Sequence, residues 1–147
     1  IMKIKALLFA LIASAAFAHE GVELGPNGGR ILEFSKNESM HGEVTVKGDK
    51  FHIALLDKDM KPVALSAQSL SAITGDRENP QKLTVEKDAT GFVLPKVKAG
   101  EWLILQYKNA ADAKAITARF EYNTVICEEC KAEEWICKCK EAEEKKK

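Results

Sequence analysis

All four cysteines of this 147-residue chain fall within thirteen positions, as Cys127-x-x-Cys130 followed six residues on by Cys137-x-Cys139. A two-residue gap lets both sulfurs of a pair turn toward one point, and a second close pair can complete a tetrahedral shell of four sulfurs. Thiolates are soft ligands, so zinc, cadmium or copper(I) suits such a shell better than magnesium or calcium. Four thiolates around a divalent ion leave two negative charges, which Lys131, Lys138 and Lys140 would partly offset. Trp135 and Ile136, lying between the pairs, are expected to form an apolar cap over the sulfurs. Capture is proton-coupled, because each thiol must lose its proton to coordinate.

The same even count fits two structural disulfides, the usual state of cysteines in an exported protein. Cross-pairing Cys127 and Cys130 with Cys137 and Cys139 would pin a small loop, whereas a direct Cys137–Cys139 bridge would be strained. Redox catalysis is a third reading, but Cys127-Glu-Glu-Cys130 lacks the βαβ setting of a thiol–disulfide exchanger. The expected protein is therefore not an enzyme. Its leading function is sequestration or delivery of a transition metal through Cys127, Cys130, Cys137 and Cys139. The alternative is an envelope interaction module whose C-terminus is closed by disulfides.

Histidine offers less. His19, as a new amino terminus, would present an α-amine and an imidazole, a grip suited to copper(II), with Glu20 adjacent. His41 and His52 fall four residues apart along paired strands, about 13 Å at ~3.4 Å per residue, so they are not expected to share an ion. Each reads as a surface histidine.

The first eighteen residues bear on where such chemistry would operate. Lys3 and Lys5 precede an uncharged apolar run over residues 6–17, and Ala16-Phe17-Ala18 is a small-x-small cleavage site. These are the parts of a secretory leader, and the run falls well short of the ~20 residues that a spanning helix needs. The mature chain would start at His19, in the periplasm or outside the cell. It would be soluble, since no later apolar stretch reaches membrane length. Basic and acidic residues balance at 22 each, and losing two leader lysines leaves about −2. Without a basic excess, nucleic acid and anionic membrane surfaces are not expected partners.

The elements that must carry the cysteines read as short strands. Period-two alternation and β-branched residues mark 30–34, 42–46, 51–56, 69–74, 82–86, 91–94, 101–107 and 115–122. Between them stand turn signals: Pro26-Asn27-Gly28-Gly29, Gly48-Asp49, Asp57-Lys58-Asp59, Gly75-Asp76 and Ala99-Gly100. Seven or eight such strands predict an all-β, antiparallel, Ig-like sandwich over residues 19–123, with a cysteine-rich tail over 124–147. Residues 110–114 give the only midchain hint of helix, and residues 140–147 read as a charged, frayed end. With Gly48-Asp49 as a two-residue loop, Val46 faces Phe51 and Thr45 faces His52. Val44, Val46, Phe51, Ile53 and Leu55 then form the core face, and His41, Glu43, Thr45 and His52 share the other. Trp102 is expected in the core. The cysteine cluster lies beyond the last strand, so the sandwich is expected to stay folded without it.

Gly25-Pro26-Asn27-Gly28-Gly29-Arg30-Ile31-Leu32-Glu33, behind His19-Glu20, resembles the small amino-terminal domain of periplasmic adaptor subunits of heavy-metal (cobalt-zinc-cadmium type) efflux systems. The likeness continues through the hairpin to Leu56 and Lys61-Pro62-Val63, covering roughly the first third of the mature chain. It departs in lacking a coiled-coil hairpin and lipoyl-like segment, so the chain is not a full adaptor. Asn27 also stands where family members often carry a second histidine. The resemblance implies a periplasmic, metal-related accessory protein with envelope efflux components as partners.

Overall fold

The computed structural model describes residues 22–139. The leader over 1–18, His19, Lys140 and the charged end over 140–147 lie outside the described residues. Nine strands follow in order: β1 (Arg30–Glu33), β2 (Met40–Lys47), β3 (Lys50–Asp57), β4 (Ser69–Gly75), β5 (Pro80–Leu83), β6 (Glu86–Lys87), β7 (Gly91–Pro95), β8 (Trp102–Lys108) and β9 (Ile116–Glu121). They form two antiparallel sheets, β1-β2-β3-β7-β6 and β5-β4-β8-β9, packed face to face. The all-β sandwich expected from the alternation is the observed fold. Among the described residues no helix is long and apolar enough to cross a membrane.

Alternation dictates the core. Phe51, Ile53 and Leu55 of β3 and Phe92 and Leu94 of β7 point inward from one sheet. Leu103, Leu105 and Tyr107 of β8, with Phe120 of β9, meet them from the other. Phe34 stacks on Tyr107 at 4.7 Å, and Phe51 meets Phe120 edge-on at 5.9 Å. Each such side chain contributes about 1.5–3 kcal/mol of burial. The β2–β3 hairpin has the expected register, Val46 opposite Phe51 and Thr45 opposite His52 around Gly48 (φ 65°). Val44, Phe51, Ile53 and Leu55 are buried as expected, but Val46, expected in the core face, is exposed because it stands at the hairpin tip beyond the opposing sheet's cover.

Four further expectations are corrected. Residues 82–86 do not make one strand: β5 ends at Leu83 in one sheet and β6 begins at Glu86 in the other, so the chain changes sheets between them. Residues 110–114 form a turn, closed by the Ala113 N–H donating to the Ala110 carbonyl. Trp102 lies outside the core, 46% exposed, because β8 turns Leu103, Leu105 and Tyr107 inward and the opposite phase must face out. The Arg119 guanidinium covers its ring at 5.9 Å.

The histidines are the fourth of these. His41 and His52 are buried, not surface residues. They do share the outer face of the first sheet with Glu43 and Thr45, but that face is overlaid by the turn at Asn27 and by the segments at Pro62–Ala64 and Ala89–Thr90, which border a groove of about 750 Å³. His41 Nε2 lies 3.0 Å from Glu33 and its Nδ1 3.2 Å from the Asp57 carbonyl. His52 Nε2 lies 2.9 Å from Thr90 Oγ1 and 3.5 Å from Asp88. The Thr90 and Gly91 N–H groups and the Thr90 hydroxyl hold Asp88 well down, to about 2.

The Gly-rich turn near the start is a clamp on Glu43. This carboxylate is fully buried and accepts the Asn27 and Gly29 N–H groups at 2.8 and 3.0 Å and the Asn27 side-chain amide at 2.8 Å. A β-carbon on Gly25 would collide with the Glu43 carboxyl, and one on Gly29 with the Val44 carbonyl. Gly28 takes a φ of 74°, which glycine adopts without strain. The motif that resembled the adaptor domain is thus required here by close packing on one buried acid.

Candidate metal centre

The cysteine segment begins where β9 leaves the sandwich. The Tyr122 N–H donates to the Glu101 carbonyl, and Asn123 Oδ1 caps the Val125 N–H. Ile126 bridges to Glu133, the Cys127 N–H donates to the Ala132 carbonyl, and the Lys131 N–H donates back to the Cys127 carbonyl at 2.9 Å. This closes a tight hairpin whose tip is Cys127–Lys131. Lys131 takes a left-handed φ of 62°, a conformation that costs a side-chain-bearing residue about 1 kcal/mol. Its strain belongs to the turn that directs backbone N–H groups at Cys127. A 3₁₀ turn, Glu134–Ile136, then brings Cys137 and Cys139 back against the tip.

The result is a convergence of four sulfurs. All four Sγ atoms lie within 4.8 Å of one another. Cys130 and Cys137 are 3.2 Å apart, and Cys127 and Cys139 are 3.8 Å apart. A tetrahedral ion with Zn–S bonds of ~2.3 Å sets its sulfurs ~3.8 Å apart, the same scale. No disulfide joins any two of them. The four sequence-selected cysteines are therefore brought together and could hold one metal ion. No other group of three or more metal-ligating side chains is found among the described residues. His41 and His52 are not part of the cluster: each is engaged with its own carboxylate.

Local electrostatics divide the four. The Cys130 N–H, the Cys137 thiol and the Glu129 N–H all point hydrogen at Cys127 sulfur, lowering its pKa to about 7. Cys137 receives the Cys139 N–H at 3.4 Å, but the Cys130 and Cys127 thiols, together with burial, outweigh that donor and raise it. Cys139 is pushed up by the Cys130 and Cys137 thiols and by burial. A divalent ion would take the place of the protons that these crowded sulfurs hold. Cys137 and Cys127 are buried, Cys139 is half-buried and Cys130 is exposed, so the centre has a solvent side.

Trp135 does not cap the sulfurs as expected. Its ring turns the other way, into the open end of the sandwich, and is 4% exposed. It stacks on Phe120 at 5.6 Å and contacts Tyr122 at 5.4 Å and Phe51 at 6.2 Å. The indole N–H donates to Glu133, and the Trp135 carbonyl accepts Arg30 Nη1 at 2.8 Å. The aromatic pocket at the sheet edges offers the ring more apolar surface than the thiolates do. Ile136 packs half-buried against the same core. Sequence reasoning missed both this seat and Arg30, whose guanidinium also lies over Phe120 at 5.5 Å. No protein-family model, curated protein or solved structure matches the chain.

Proposed function

We propose that the protein binds one soft or borderline transition-metal ion, zinc in the first instance, at Cys127, Cys130, Cys137 and Cys139, and sequesters or delivers it without catalysing a reaction. The observation that carries this reading is the mutual approach of four unbridged cysteine sulfurs on the scale of a tetrahedral shell. Cadmium and copper(I) share the preference for thiolate. The exposed side at Cys130 favours exchange with an incoming thiolate over permanent burial of the ion. The leader-like residues 1–18 support action in the periplasm or outside the cell, and the likeness around Gly25–Arg30 supports a partner among envelope metal-efflux components.

Competition against a chromophoric zinc chelator, under reducing conditions from pH 6 to pH 8.5, tests the binding reading. Affinity is expected to fall steeply as pH drops. Cys137 and Cys139 hold protons above the ordinary thiol range and must release them, and below about 7 Cys127 must release one too. An affinity independent of pH would contradict thiolate coordination.

A further inference from the structure

Resting on that reading, we infer that the metal centre is a latch on the sandwich: ion occupancy seats Trp135 in the core, and loss of the ion frees it. The two halves of the cluster lie on either side of the tryptophan, Cys130 before it and Cys137 two residues after it. Cys137 is itself 2% exposed, so sulfur and indole are set by one short stretch of backbone, within the same buried end of the molecule. An ion that fixes Cys137 against Cys127 and Cys130 closes the loop from both sides and leaves Trp135 little freedom except its aromatic pocket.

Trp135 is carried into its pocket by a loop with little regular structure of its own. Besides the bridge of Ile126 to Glu133 and a short 3₁₀ turn, the loop is held by the Glu134 N–H donating to the Val125 carbonyl and the Cys127 N–H donating to the Ala132 carbonyl, each at 2.8 Å. Its links to the sandwich are the Trp135 N–H to the Asn123 carbonyl at 2.9 Å, Arg30 to the Trp135 carbonyl, and the ring contacts with Phe51, Phe120 and Tyr122. Removing the ion returns conformational entropy to the loop, which opposes the seating of the ring. The coupling is reciprocal by thermodynamic necessity: if the ion seats Trp135, then the seated Trp135 tightens the hold on the ion.

The experiment uses the full chain with Trp102→Phe, which leaves Trp135 as the single tryptophan, since Trp102 lies on the outer face. Acrylamide quenching of its emission is measured with one equivalent of zinc and after chelator stripping, always in reductant, with zinc binding titrated in parallel. Shielded emission with zinc and quenchable, red-shifted emission after stripping are the expected results, whether the loop opens alone or the sandwich opens with it. Zinc bound with Trp135 equally shielded in both states would overturn the latch and leave the metal site standing. No zinc bound would overturn both. In the converse arm, Trp135→Ala is expected to weaken zinc binding at least ~5-fold, the low end of ordinary coupling between linked sites. Unchanged affinity would again overturn the latch.

Discussion

Cys137→Ser is expected to abolish tight zinc binding, with a loss of affinity of at least ~100-fold, since even outer-shell partners of a metal ligand are worth 10–100-fold. Serine keeps the shape of the side chain but offers a hydroxyl that stays protonated where a thiolate is needed. The ion then has three sulfurs and a poor fourth ligand. Cys130→Ser should lose affinity on the same scale, because the shell acts as one unit. The two variants differ in what else they disturb. Cys137 is buried beside Trp135, so its replacement by a polar atom also loosens the loop, whereas Cys130 is exposed and its replacement leaves the metal-free chain little changed. Replacing His41 or His52 should alter stability through lost pairing with Glu33 or Asp88 but leave the zinc stoichiometry intact. Chelator competition combined with thermal melts reads both effects.

Glu43→Ala should be the most damaging single change outside the cysteine segment. The carboxylate is fully buried and carries three donors, two of them backbone N–H groups of the Gly-rich turn. Alanine leaves the buried Gly29 N–H without an acceptor, at a cost of about 1–3 kcal/mol, while the exposed Asn27 donors turn to water. A destabilisation of about 1–3 kcal/mol follows, lowering the melting temperature by roughly 3–10 °C in a domain of this size. Glu43→Gln should be milder. Its side-chain oxygen can still accept the Asn27 and Gly29 N–H groups, while its amide donates to a flipped Asn27 side chain. Equal melting temperatures for the wild type and the alanine variant would contradict the clamp.

The strands and the β2–β3 register were legible because they rest on local chemistry. Gly48-Asp49 defines a two-residue loop, and that loop alone pairs Val46 with Phe51. What failed depends on which surfaces meet. The strand over 101–107 carries large apolar residues on both phases, Trp102 and Ile104 against Leu103, Leu105 and Tyr107, and only the opposing sheet selects the second set. His41 and His52 were assigned to the correct face, yet nothing local to them reveals that three loops lie over it. The crossing between β5 and β6 has no glycine or proline to announce it. Cysteine spacing alone named the residues that converge. The direction of Trp135 was hidden because its pocket is built by Phe51, Phe120 and Tyr122, from strands distant in sequence.

Intact mass of the chain purified from the cell envelope, taken under native and denaturing conditions with and without thiol alkylation, addresses the metal centre most directly. One zinc ion per chain in the native spectrum is the predicted result, with four alkylatable thiols once the protein is denatured and the ion removed, on a chain that begins at His19. A metal-free chain whose denatured mass is four hydrogens lighter than the reduced form, and which takes up no alkylating agent, would contradict it. Its cysteines would then be two disulfide bridges, and the C-terminal segment a covalently closed loop with no ion to hold.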